Sequence, residues 1–304
     1  MAGDEMKERR DAIRSVGADD EPAEYRYPDF LCIGAQKAGT TWLDKNLRRH
    51  PKLWLPPMKE LQYFSHQHIP SARKWTTRQR QERGTQLLRR YITKTNASEW
   101  DYRYIARVAD IVAGPVSDDW YGRIFSLAAP NQTCGEVTPD YCTLPDEGIR
   151  HVLRLSPEAK IIMSLRDPIE RCWSHIRMTS RARDVSELDK IVQFARNADQ
   201  LQRADYPQII ANWRKYVPAE RLLVIFMDDI VAEPNAVLDE VCGFLGVKYR
   251  DKPFEKAADP VHVGTPQEIP PPVLESLKTS LKPVYDGLIA LYPEIGARWA
   301  ERYY

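Results

Sequence analysis

The residues best suited to chemistry stand in Gly34-Ala35-Gln36-Lys37-Ala38-Gly39-Thr40-Thr41. A row of backbone amides followed by a helix N-terminus binds an anion. Gly34 and Gly39 have the spacing of a nucleotide-triphosphate loop. Thr40, however, occupies the place where such loops carry lysine, and the lysine lies inside the turn as Lys37. From there it reaches a phosphate at the 5′ end of a nucleotide; a plain glycine turn with a solvated lysine is the competing reading. The second candidate is Arg166-Asp167-Pro168-Ile169-Glu170-Arg171-Cys172-Trp173-Ser174. Asp167 suits a helix cap, Pro168 the first helical position, and Glu170 a capping box. An arginine at a strand's carboxyl end and a hydroxyl two turns up the helix suit a second phosphate. An ordinary helix start, with Arg166 in a surface ion pair, fits the same residues. Two phosphate sites without the magnesium-binding Gly-Lys-Thr imply a bisphosphorylated nucleotide.

The elements that must position these residues follow from the apolar pattern. Phe30-Leu31-Cys32-Ile33 is a short buried run ending at Gly34 and predicts a strand. The helix after it starts at Thr40 and ends before Pro51. Ile161 to Leu165 predicts a second strand leading to a helix from Asp167, and Leu222 to Phe226 a third. Pro234 to Leu245 carries the stripe Val237, Leu238, Val241, Phe244, Leu245 and stops at Gly246. Pro271 to Tyr292 reads as a helix broken near Pro283. Strands alternating with helices predict an α/β fold: a single domain with a central parallel sheet flanked by helices and a P-loop-like nucleotide-binding core. Residues 1–26 read as a flexible leader and 27–304 as the domain. Within the domain, 68–125 reads as an irregular helical insertion on the acceptor side.

The motifs also resemble a known family. Gln36-Lys37-Ala38-Gly39-Thr40-Thr41-Trp42-Leu43 resembles the 5′-phosphosulfate loop of sulfotransferases that use 3′-phosphoadenosine-5′-phosphosulfate (PAPS), and Arg166 to Ser174 resembles their 3′-phosphate motif. His50-Pro51 with Lys59-Glu60-Leu61-Gln62-Tyr63-Phe64, Trp120-Tyr121 with Ile124-Phe125, and Gly135-Glu136-Val137-Thr138-Pro139-Asp140-Tyr141 resemble motifs of the heparan-sulfate-type and bacterial branch, as does Phe244-Leu245-Gly246-Val247. The resemblance implies a sulfotransferase moving a sulfuryl group to an acceptor hydroxyl by in-line displacement. It implies catalytic roles for Lys37, at the sulfate and leaving oxygen, and for Glu60, as general base. It implies PAPS binding by Gln36, Lys37, Ala38, Gly39, Thr40, Thr41, Trp42, Arg166 and Ser174, with no metal required. His262 and Gly264 are expected to stand in for the loop that closes over the 3′-phosphate. Val137 stands where related enzymes often carry lysine.

Several alternatives stay open in the sequence. His66 and His68 are rival bases near Glu60. The basic cluster Arg73, Lys74, Arg78, Arg80, Arg83, Arg89, Arg90, opposed only by Glu82, is a solvated helix face or a surface for an anionic acceptor or headgroups. Trp54, Trp75, Trp100 and Trp120 are core or the wall of an acceptor cleft. A P-loop kinase or ATPase would use Asp228 or Asp229 for magnesium, against which the displaced lysine argues; a non-catalytic nucleotide-binding module is a further alternative.

Composition narrows the class. The 304 residues carry Lys+Arg 44 and Asp+Glu 43, a net charge of +1, which speaks against a general nucleic-acid binder. With 43% hydrophobic and 10% aromatic residues the chain is not disordered. The longest apolar run, Leu222 to Met227, falls far short of the roughly 20 residues that span a bilayer. The N-terminus lacks the apolar segment of a signal peptide, so the expected location is cytoplasmic. Five scattered cysteines without a C-x-x-C pair read as free thiols, with Cys134–Cys142 the one conceivable bridge. A soluble bacterial enzyme is expected, acting on a glycan, glycolipid or secondary metabolite.

Overall fold

A computed structural model describes residues 25–183, 187–249, 252–259 and 267–304. Five parallel strands form one sheet: β1 Phe30–Gly34, β2 Leu53–Trp54, β3 Thr133–Val137, β4 Lys160–Leu165 and β5 Leu222–Phe226, in the order β2-β3-β1-β4-β5. The helices, in chain order, are α1 Thr40–Leu47, α2 Tyr63–His68, α3 Arg73–Lys94, α4 Tyr102–Ala113, α5 Asp118–Phe125, α6 Asp146–Leu155 and α7 Pro168–Arg183. They continue with α8 Leu188–Ala195, α9 Ala198–Gln202, α10 Tyr206–Arg214, α11 Met227–Ala232, α12 Pro234–Leu245, α13 Pro271–Leu291 and α14 Pro293–Ala300.

The strand pleat sorts the core into two layers. Phe30 and Cys32 of β1 pack with Trp42, Leu43, Val237, Leu238 and Val241 under α1 and α12. Leu31 and Ile33 face the other layer, with Phe64, Trp120, Ile169, Trp213 and Leu277. Full burial of such side chains contributes about 1.5–3 kcal/mol each. Parallel strands need both faces covered, and these two layers supply that cover.

The strand order reverses beside β1: the chain leaves β1 toward β3 and β2 on one side, then returns to β4 and β5 on the other. Ligands of open α/β sheets bind at the carboxyl ends of strands at such a switch point. Gly34 and Leu165, the last residues of the adjacent strands β1 and β4, lie there.

Several expectations need correction. Helix α13 is not broken: it runs through Pro283, which costs one backbone hydrogen bond on an exposed face while Leu277, Leu281, Val284, Tyr285 and Leu288 stay buried. Strand pair β2 and β3, too short or too mixed to stand out in the sequence, completes the sheet. The block 68–125 is helical, as read, but more regular than expected, since α3, α4 and α5 fill most of it. The cysteines meet the expectation instead: all five, Cys134 and Cys142 included, are free and buried. Among the described residues no helix is long and apolar enough to cross a membrane.

Candidate active site

The turn after β1 is tied to β4 at two points. Ala35 N–H donates to the Ser164 carbonyl at 2.7 Å, and the Ser164 hydroxyl donates to the Ala38 carbonyl. Gly39, with φ 86°, ends the turn as the N-cap of α1 and offers no side chain to cap it. The amides of Thr40, Thr41 and Trp42 in the first helical turn therefore have no acceptor within the helix. The Ala38 amide, expected among the anion donors, instead bonds the Ala35 carbonyl at 3.2 Å. Gln36 Oε1 is buried without a partner. Trp42 serves packing: its indole N–H donates to the Ala257 carbonyl at 2.7 Å.

Lys37 is held in the left-handed region at φ 73°. Its Nζ lies 3.8 Å from Met178 Sδ on α7, the helix that also carries Ser174 one turn earlier. Burial lowers the Lys37 pKa, and Arg166, Arg177, Arg171 and Lys59 add like-charge repulsion. Such a crowd of cations is a site that an anion relieves.

Arg166 follows β4 directly, as expected, and pairs with Glu170 at 2.9 Å. Asp167 caps α7 by accepting Glu170 N–H at 3.1 Å, while the Glu170 carboxylate goes to Arg166 rather than closing a capping box. Ser174 is half-buried on the same helix. Arg171 is fully buried and bonds Gln200, so it supports the helix from behind. His262 and Gly264 lie outside the described residues, as does the expected leader up to residue 24.

Glu60 sits at φ 61° in a turn before α2. Lys59 Nζ donates to Glu60 Oε1 at 3.1 Å and to Thr41 Oγ1 at 3.2 Å, which joins this turn to the start of α1. Arg83 of α3 donates to Glu60 Oε2 at 2.8 Å, and Gln79 reaches the same oxygen at 3.4 Å. Burial alone would raise the Glu60 pKa, but Lys59 and Arg83 outweigh it and hold the carboxyl below its usual value. The rival bases have other partners: His66 Nδ1 meets Thr76 Oγ1 at 2.9 Å, and His68 meets His151 at 2.7 Å.

The structure thus gathers Lys37, Thr40, Thr41, Arg166 and Ser174 at the carboxyl ends of β1 and β4, and joins Glu60 to them through Lys59. Sequence reasoning missed Lys59, Gln79 and Arg83 as parts of one cluster. The basic run containing Arg83 had several arginines and nothing to say which one turns inward. Arg78 is exposed and paired to Glu82, whereas Arg80 is buried against the Trp120 ring. Val137 is buried in the α1 layer and brings no cation; Arg83 stands beside the carboxylate from another element. The four tryptophans do not form one wall: Trp120 is core, Trp54 packs edge-on to Phe125, Trp100 bonds the Thr95 carbonyl and Trp75 is exposed. Of the two alternative magnesium ligands, Asp228 and Asp229, Asp228 accepts from Trp299 and Arg302, each at 3.1 Å, and the kinase reading is not favoured.

Comparison with known proteins bears on the fold and the family. A sulfotransferase from Alicyclobacillus acidocaldarius superposes with a TM-score of 0.59 over 90% of this chain and 98% of that one, at 22% identity. Mouse sulfotransferase SULT7A1, solved in complex with PAP, gives 0.50 over 92% and 90%, at 11% identity. At these identities the likeness establishes the fold. Human heparan sulfate glucosamine 3-O-sulfotransferase 3B1 is 24% identical over 42% of this chain and 35% of its own length. The chain spans only about a fifth to two fifths of the curated relatives it matches. A model of the sulfotransferase family matches residues 28–251, most of the chain, and the protein belongs to that family.

Proposed function

We propose that this protein transfers a sulfuryl group from PAPS to an acceptor hydroxyl. The observation that carries the reading is backbone strain. Among the described residues, the non-glycine positions with positive φ are Lys37, Glu60 and Gln62. Each such conformation costs on the order of 1–3 kcal/mol and persists where the surroundings enforce it, typically at functional sites. Two of the three are the residues that the motifs mark for catalysis.

The residues fit the co-substrate. The cations that depress the Lys37 pKa define a region that favours multiple negative charges. Gly39 to Trp42 supply amides and hydroxyls for the 5′ end, with the Gln36 side chain beside them. We assign Arg166 and Ser174 to the 3′-phosphate and, from the sequence alone, His262 and Gly264 to the loop that closes over it. Such charge-assisted contacts contribute about 1.5–3 kcal/mol each.

PAPS supplies the activated sulfuryl group; the chain's own residues supply placement and charge. Lys37, fixed by its strained turn, stabilises negative charge on the departing phosphate oxygen. Glu60 accepts the proton of the acceptor hydroxyl, and Lys59 and Arg83 keep it ionised at neutral pH. Holding nucleotide and hydroxyl in line removes much of the entropic barrier. No step in this scheme calls for a metal.

Arg83 and Gln79 reach Glu60 from α3, which supports residues 68–125 as the acceptor side. The named heparan sulfate relative makes sugar hydroxyls the first class to screen, ahead of glycolipids and other secondary metabolites. Five buried free thiols support a reducing compartment such as the cytoplasm.

The test is transfer of label from [35S]PAPS to a panel of glycans, glycolipids and hydroxylated metabolites, with EDTA present. Labelled product that disappears in Lys37→Ala supports the reading. No product from any acceptor, alongside magnesium-dependent ATP turnover, contradicts it.

A further inference from the structure

Glu136 is a buried carboxylate for which the scheme above has no use. It lies on β3, is 2% exposed, and faces the layer opposite Val137. A carboxylate is kept in such a place only when hydrogen bonds compensate for lost water. Tyr121 donates its hydroxyl to Glu136 Oε1 at 2.9 Å, and Thr138 donates to Oε2 at 3.3 Å. The Tyr141 hydroxyl and the Leu61 backbone N–H also face the carboxylate and favour its charged form.

Two of these donors belong to or support one short stretch of chain. Leu61 is fully buried and lies between Glu60 and Gln62, whose φ values are 61° and 59°. The Tyr141 hydroxyl also accepts Phe64 N–H at 3.4 Å. Gln62, as the N-cap of α2, makes no side-chain cap of its own. The stretch that follows Glu60 is thus held at two points, by the Glu136 carboxylate of β3 facing the Leu61 amide and by Tyr141, just beyond β3, on the Phe64 amide. A left-handed pair of non-glycine residues needs enforcement of this kind.

We propose that Glu136 is a positioning residue for the transfer reaction: by facing the Leu61 amide directly, and by sitting against the Tyr141 hydroxyl that receives the Phe64 amide, it enforces the turn that presents Glu60 to Lys59, Arg83 and the acceptor. The proposal rests on the reading of Glu60 as the base. It gives a role to the Gly-Glu-x-Thr-Pro stretch that does not depend on a lysine at position 137. Burial raises the Glu136 pKa to about 7 even though the surrounding donors pull it down.

The experiment compares wild type with Glu136→Gln, which keeps the volume, and Tyr141→Phe, which removes one hydroxyl. Amide hydrogen exchange is followed over residues 59–64. PAP affinity is measured by calorimetry, and kcat and the KM for PAPS are measured with the best acceptor from the labelled panel. Exchange at Leu61 should quicken at least tenfold in Glu136→Gln, and kcat should fall tenfold or more, while PAP affinity and the KM for PAPS stay within twofold. Tyr141→Phe should give a smaller change of the same kind, and it carries the test if Glu136→Gln does not fold. Unchanged exchange at Leu61, faster exchange with unchanged kcat, or a kcat loss matched by weaker PAP binding would each overturn the proposal. Failure of the sulfotransfer reading looks different: wild type itself then moves no label, whatever the variants do.

Discussion

Arg83 and Glu60, on separate elements, meet at 2.8 Å, and the pair brings the long basic helix α3 into the site. A base paired this closely is ionised at neutral pH but weak, because the same cation that holds it also opposes its protonation. Arg83→Gln should therefore raise the Glu60 pKa. The acid limb of the kcat profile should move to higher pH while PAP affinity stays unchanged. A pH–rate series on the two proteins checks this, and an unmoved limb would separate Arg83 from the base.

Glu60→Gln should lower kcat by about 10²–10⁴-fold with little effect on nucleotide binding. His66→Ala should stay near wild type, since His66 is engaged by Thr76. The reverse pattern in steady-state kinetics would move the base to His66.

Lys37→Ala should lower kcat by about 10²–10³-fold, the usual cost of removing one donor to a developing oxyanion. The protein should remain folded, since the Ser164 bonds to the turn use backbone atoms of Ala35 and Ala38. Circular dichroism together with label transfer tests both halves. Wild-type turnover would remove Lys37 from the mechanism.

Acid should destabilise the fold through His175. Burial pushes its pKa down to about 4, with Arg171 and Arg203 adding repulsion against the bond to Gln200. The unfolded chain takes up a proton near pH 6.5, the folded His175 only near 4, so stability falls as pH drops through that window. Glu136 and Asp167, raised to about 7 and about 6, act in the opposite sense: their contributions are present in acid and are lost as pH rises. Comparing His175→Gln with wild type isolates the histidine. Between pH 7.5 and 4.5 the variant should lose less stability by about 1–3 kcal/mol in denaturant titrations. Equal losses would show that His175 titrates normally.

Much of the fold was legible because it rests on local rules. Phe30 to Ile33, Ile161 to Leu165 and Leu222 to Phe226 are short apolar runs of strand length, and Asp167-Pro168 is helix-start grammar. The phosphate turn was legible because glycine, lysine and threonine sit at fixed spacing. What was hidden depends on tertiary approach: Arg83 acquires its role only when α3 packs beside the turn at Glu60, and β3 is recognised as a strand only through its pairing with β1. Pro283 misled for the opposite reason. A local rule predicted a break, but the buried face of α13 outweighs one missing bond. Pro283→Ala should accordingly stabilise the exposed face by about 1–2 kcal/mol, after the loss of unfolded-state restriction, and raise Tm by a few degrees.

The central claim is that one nucleotide is held between the Lys37 turn and the start of α7. A crystal structure with adenosine 3′,5′-bisphosphate tests it most directly. The account predicts the 5′-phosphate at the amides of Gly39 to Trp42 and the 3′-phosphate at Arg166 and Ser174. Ligand density anywhere else on the molecule, or none at saturating nucleotide, would contradict it.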